Sequence, residues 1–150
     1  MQGSPLWSLI LFLHILCMTL WIGGGFYAIY VLRPSLTLLE KTQQASVHLQ
    51  TLKRFFFLLW HVIPLTLLSG WAMIIHIGGF KNLYWPINAM QGLGLLMGII
   101  FAIMFFGPYK KTRRAIRPQP ADFAKIRKLT ILNILLGFLT ILMAVCSRPF

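Results

Sequence analysis

The chain has 150 residues, 58% of them apolar, and its 16 charged side chains are 14 Lys or Arg against only two acids, a net charge of +12. A soluble domain carries about 25% charged residues, and the 11% here cannot cover a water-facing surface. The cations lie in short stretches between long uncharged runs. That pattern excludes a soluble enzyme, a nucleic-acid-binding module and a disordered chain, and predicts a polytopic membrane protein.

Four runs lack Asp, Glu, Lys and Arg: residues 1–32, 55–80, 82–109 and 129–147. A spanning helix needs about 20 apolar residues, and none of the runs alternates in polarity as a barrel strand would. Lipid offers no partner to an unpaired backbone group, so the runs must be helical. The expectation is an all-α, four-helix transmembrane bundle, one domain over residues 1–150, with helices near 5–32, 55–78, 86–107 and 127–147.

Helix 1 carries His14, Cys17 and Met18, then Trp21 with Gly23, Gly24 and Gly25, and ends at Arg33-Pro34. No cation precedes its apolar run and no small-residue cleavage motif follows, so it is expected to be retained. Between Thr42 and Lys53 the spacing is amphipathic and extends helix 2 beyond the membrane. Helix 2 itself holds His61, Pro64, Gly70, Met73 and His76. Pro64 is expected to kink it and to free a carbonyl near His61. Helix 3 shows Met90, Met97 and Met104 at seven-residue spacing, with Gly94 and Gly98 as a small-xxx-small pair beside Gly92. Asp122–Phe123, after two prolines, has the form of an N-cap for helix 4. Helix 4 then carries Asn133, Gly137, Met143 and Cys146. Trp7, Tyr84, Trp85 and Tyr109 have the positions of an interfacial aromatic belt.

Four cations lie in residues 33–54 and eight in residues 108–128, which leaves only Lys81 and Arg148 elsewhere. The positive-inside rule therefore puts the loops 33–54 and 108–126 in the cytoplasm and both termini outside, in a bacterial-type inner membrane. The cluster at 110–114 is expected to attract anionic lipid of the bilayer, at about 1 kcal/mol per cation near the surface.

Neither Glu40 nor Asp122 lies in a span. No carboxylate is present there to relay an ion, which disfavours proton- or cation-coupled antiport. Histidine and sulfur are what remain. His14, His61 and His76 lie within the spans, whereas His48 is expected to be solvated. His61 and His76 are fifteen residues apart, which at about 100° per residue turns both towards one side of the helix. Imidazole is a common haem iron ligand, and facing helices of a bundle hold cofactors. Hence the first expectation is a b-type haem protein with a redox or electron-transfer role. His14 is its axial ligand, His61 or His76 the partner ligand, and Arg33 a propionate contact. A redox partner or quinone would exchange electrons with it. The rival expectation is copper: thiolate and thioether ligands select Cu(I), and Cys17, Met90, Met143 and Cys146 make an outer-leaflet set. A third is a non-catalytic subunit whose glycine faces pack against a partner or form a homodimer.

Several segments together resemble a known family. They are His14 with Trp21-Ile22-Gly23-Gly24 and Arg33-Pro34, Arg54-Phe55-Phe56 with Ser69-Gly70, Phe106-Gly107-Pro108-Tyr109 before its cations, and Asn133 with Gly137. They resemble the copper-resistance D (CopD-like) membrane superfamily over nearly the whole chain. One line of that superfamily is linked to copper handling. The other is the HemJ-type four-helix protoporphyrinogen oxidase, which is associated with haem b. The oxidase line implies an essential histidine on helix 1 and an essential lysine on helix 3. His14 matches the first. Helix 3 has no lysine, and its outer start reads Asn88-Ala89-Met90-Gln91.

Overall fold

A computed structural model describes residues 5–81, 84–115 and 120–146, apart from the side chains of Pro120 and Asp122. Its four long helices are α1 over Pro5–Leu38, α2 over Lys41–His76 and α3 over Trp85–Arg114, with α4 over Pro120–Cys146. All four contain a stretch long and apolar enough to cross a membrane, and the described residues contain no strand. The all-α, four-helix reading holds. Arg117 and Arg148 of the expected charge pattern lie outside the described residues.

Helix ends follow local chemistry. Glu40 starts α2 with a capping box: its side chain accepts from the Gln43 backbone, and the Gln43 side chain accepts from the Glu40 backbone N–H. The two orphan donors satisfy each other. Gly78 and Gly79 take positive φ at the other end, and the Gly79 N–H closes back on the Ile74 carbonyl at 2.9 Å. At 36 residues, α2 is about 54 Å long. The hydrocarbon core is about 30 Å thick, so the amphipathic part before Phe55 projects beyond it. One expectation fails at α4. Among the described residues that helix already includes Pro120, so Asp122 lies inside it rather than at the cap.

Two short π-turns interrupt the spans at the same end of the bundle, Ala28–Leu32 in α1 and Phe105–Tyr109 in α3. Proline explains both. Pro34 follows the first turn and Pro108 sits within the second. A missing N–H forces the ladder to be rerouted, and a wider turn absorbs the change.

The helices run antiparallel. α1 packs along α2 and α3 along α4, and α1 joins the pairs by packing on α4. The backbones of α2 and α3 come close at few points; Gly94 and Gly98 face Leu67 and Ile63, and nearer the basic end aromatic rings span the gap. The two cation-rich connections, after α1 and after α3, therefore lie at one end, called here the basic end.

Apolar burial against lipid gives little drive for association, because the lipid is as apolar as the core. Close packing and internal polar satisfaction take over. Met97, Phe56 and Leu59 are almost fully enclosed, and edge-on ring contacts join Phe56 to Phe101, Phe105 and Tyr109. Thr66, Thr112, Thr130 and Thr140 each donate to the carbonyl four residues back at 2.8 Å. Self-bonding of this kind lets a hydroxyl sit in a dry interior. Large apolar side chains such as Phe57, Leu68, Ile99 and Leu135 cover the outside, as a lipid-facing surface requires.

Candidate functional site

The interface of α1 and α2 holds the most elaborate polar cluster in the described spans. His14 Nδ1 lies 3.0 Å from the Thr66 carbonyl and 3.0 Å from Ser69 Oγ. Ser69 Oγ donates its own hydrogen to the Thr66 carbonyl at 3.0 Å. That hydroxyl proton is engaged, and a carbonyl oxygen repels a ring lone pair, so Nδ1 carries the hydrogen. The lone pair is then on Nε2. A metal-binding histidine has this arrangement, with one nitrogen donating to a carbonyl and the other left to the metal. Gly70 makes the approach possible. A Cβ there would meet His14 Cε1 at 3.1 Å.

Cys17 lies one turn further along α1 and is buried. Its thiol lies beside the side chain of Thr66. Thr66 therefore neighbours both residues, its carbonyl bonded to His14 and its side chain beside Cys17. Met18 is half-buried against the core. Positions i, i+3 and i+4 share a helix face, so α1 presents an imidazole, a thiol and a thioether together. Composition alone assigns His14 to a haem set and Cys17 to a copper set, and leaves Met18 in neither. The His-x-x-Cys-Met spacing was the signal that would have joined them.

The structure does not bring the three expected haem histidines together. His61 is exposed, and its Nδ1 bonds the Phe57 carbonyl of its own helix at 3.0 Å. His76 is also exposed and stacks on Trp7, with centroids 3.8 Å apart. His61 falls on the lipid side of α2 because Leu59 and Val62 take the interior, whereas His14 points inward. Arg33 is nineteen residues beyond His14, about 28 Å along α1 at 1.5 Å per residue, and is exposed at the basic end. A ring ligated by His14 cannot offer it a propionate. His48, expected to be solvated, is half-buried and stacks on Phe123 at 4.4 Å, tying the projecting part of α2 to α4.

The expected copper set is dispersed too. Cys17 faces Thr66 of α2, Met90 and Met143 are half-buried on α3 and α4, and Cys146 is exposed near the end of α4. In the stripe on α3, Met97 and Met104 are core residues whose sulfurs lie 3.8 Å from the Thr140 hydroxyl and 3.3 Å from the Thr130 hydroxyl. Among the described residues, no three of His, Cys, Asp or Glu gather as a metal site. A His–Cys pair completed by methionine falls outside that description.

The centre of the bundle holds a narrow void of about 10 Å³ bordered by Trp21, Met97, Met104 and Asn133. Asn133 Nδ2 donates to the Met97 carbonyl at 3.2 Å, and its Oδ1 has no partner. A space of this size takes about one water. It is far too small for a macrocycle.

A family model for CopD, copper resistance protein D, matches residues 49–147. The match runs from within α2 to the end of α4 and leaves α1, with His14, outside it. No curated protein and no solved structure matches the chain.

Proposed function

This chain belongs to the copper resistance protein D family, and on that premise we propose that it binds Cu(I) within the membrane and passes it on, with His14, Cys17 and Met18 as the ligands. The family match carries the metal. The observation that carries the site is that His14, bonded to the Thr66 carbonyl, and the buried Cys17 beside the same residue share one face of α1. Soft sulfur ligands with an imidazole suit Cu(I). Copper is cargo here rather than a resident cofactor, and binding involves no redox step. The Cys17 proton leaves as the thiolate–copper bond forms.

The site lies nine residues inside the start of α1, about 13 Å along the helix. If the basic end faces the cytoplasm, as the charge distribution favours, copper enters from the opposite side. The Trp7–His76 stack lies two turns above His14 on that path, and the exposed His76 imidazole is a transient ligand at the mouth.

Haem remains the second reading, because the same free Nε2 of His14 would ligate haem iron. The separation of His14, His61, His76 and Arg33 favours copper over it. HemJ-type oxidase chemistry has less support still, since the spanning part of α3, residues 86–107, has no lysine.

Titrating the anaerobic, detergent-solubilised protein with Cu(I) against a chromophoric chelator tests the proposal. One equivalent should bind tightly. Because binding releases the thiol proton, apparent affinity should rise with pH by up to about tenfold per unit while the thiol is protonated. A colourless protein before loading fits copper. A Soret band with sharp reduced α and β bands, and no retained copper, would favour haem. His61→Ala should leave the affinity unchanged, because His61 faces lipid; a large loss there would count against this site.

A further inference from the structure

We propose that the groove between α2 and α3 at the basic end is a binding site for one anionic phospholipid. The groove is about 460 Å³. Lys53 and Arg54 of α2 and Arg113 of α3 stand at its rim, and Phe57, Trp60 and Tyr109 line its deeper part.

Both walls grade in the same direction. Along α2, polar Lys53 and Arg54 give way to Phe57 and then Trp60, a descent of about 9 Å from Arg54 to Trp60. Along α3, Tyr109 gives way to Arg113 one turn further out. A ligand that fits carries its anion at the rim and an apolar chain below it. That describes a phospholipid whose phosphate meets three cations and whose acyl chain lies along the rings.

Charge complementarity favours this occupant over an uncharged lipid. None of Lys53, Arg54 or Arg113 pairs with a carboxylate among the described residues, and the one described acid, Glu40, lies in the connection between α1 and α2. Arg113 also lies over the Tyr109 ring, 5.6 Å from its centroid, which holds the guanidinium at the groove. The backbones of α2 and α3 stand apart there, with the rings of Phe56 and Trp60 reaching across to Phe101 and Phe105, and the π-turn Phe105–Tyr109 lies beside the cleft. Basic pockets between spanning helices at the cytoplasmic face are a general form of lipid headgroup site.

The test is native mass spectrometry of the full chain, released from mixed micelles of phosphatidylglycerol and phosphatidylcholine. Phosphatidylglycerol should be retained in preference. The Lys53→Gln/Arg54→Gln/Arg113→Gln variant should lose about fivefold per cation, about a hundredfold in all. Neutralising the equally exposed Lys111, Arg114 and Lys125, which do not border the groove, should leave retention unchanged. In the unaltered protein, phosphatidylglycerol with a photoreactive acyl chain should label the peptides bearing Phe57, Trp60 and Tyr109. Equal retention of the two lipids, an equal loss in the control variant, or labelling elsewhere would overturn the proposal. So would release of the lipid by inorganic phosphate, which would mark a site for free phosphate alone.

Discussion

Replacing His14 with alanine should lower Cu(I) affinity by more than about a hundredfold while the helices stay folded. The size follows from its rank in the site. Outer partners of a metal-binding histidine are worth about 10–100-fold, and a direct ligand is worth more. Ser69→Ala should cost about tenfold, because the Thr66 carbonyl still holds Nδ1. Cys17→Ser should cost as much as His14→Ala and should also abolish the rise of affinity with pH. Chelator competition gives the affinities, and circular dichroism verifies the helices. If His14→Ala binds copper as the unaltered protein does, His14 is a packing residue.

Gly137→Ala should be the most damaging small change to the fold. A Cβ at 137 would lie 2.6 Å from Ile22 Cγ1 and 2.7 Å from Ile22 Cδ1, with Met97 Cε at 3.4 Å. Ile22 is β-branched, so its χ1 is nearly fixed in a helix, and it cannot swing aside. The expected cost is about 1–3 kcal/mol of overpacking, seen as a lower unfolding midpoint in detergent. Ile22→Ala in the same chain should restore most of it, a coupling that a double-mutant cycle measures. Gly92 is the contrast. Nothing lies within 4 Å of a Cβ there, so Gly92→Ala should be neutral or stabilising by up to about 1 kcal/mol. Equal effects at the two positions would mean that Gly137 does not set the approach of α1 and α4.

The architecture was legible because few solutions exist in lipid. Four uncharged runs of sufficient length leave no choice but helices, and the amphipathic stretch 42–53 announced the projection of α2. The π-turns were not visible, although Pro34 and Pro108 were their cause, because proline can also kink or end a helix. The glycines divided in a way composition could not tell. Gly70 admits an imidazole and Gly137 a close helix, whereas Gly23 and Gly92 border open space.

The site was half legible. His14 stood out as an imidazole in hydrocarbon, and nothing about it changed on folding. His61 and His76 stood out equally, and angular arithmetic on one helix put them on a common side. That arithmetic cannot say whether the side faces the bundle or the lipid. His61 looks outward because its neighbours at Val62 and Leu59 take the interior. The His-x-x-Cys-Met spacing could have put His14 and Cys17 on one face, but that this face meets Thr66 of another helix could not be read from any spacing within one segment.

X-ray absorption at the copper edge, on protein carrying one equivalent of Cu(I), tests the central claim most directly. A shell of sulfur with one imidazole nitrogen is the result expected, with the imidazole signal lost in His14→Ala and the sulfur shell reduced in Cys17→Ser. A shell without imidazole, or one unchanged by either substitution, would contradict a copper site on this face of α1.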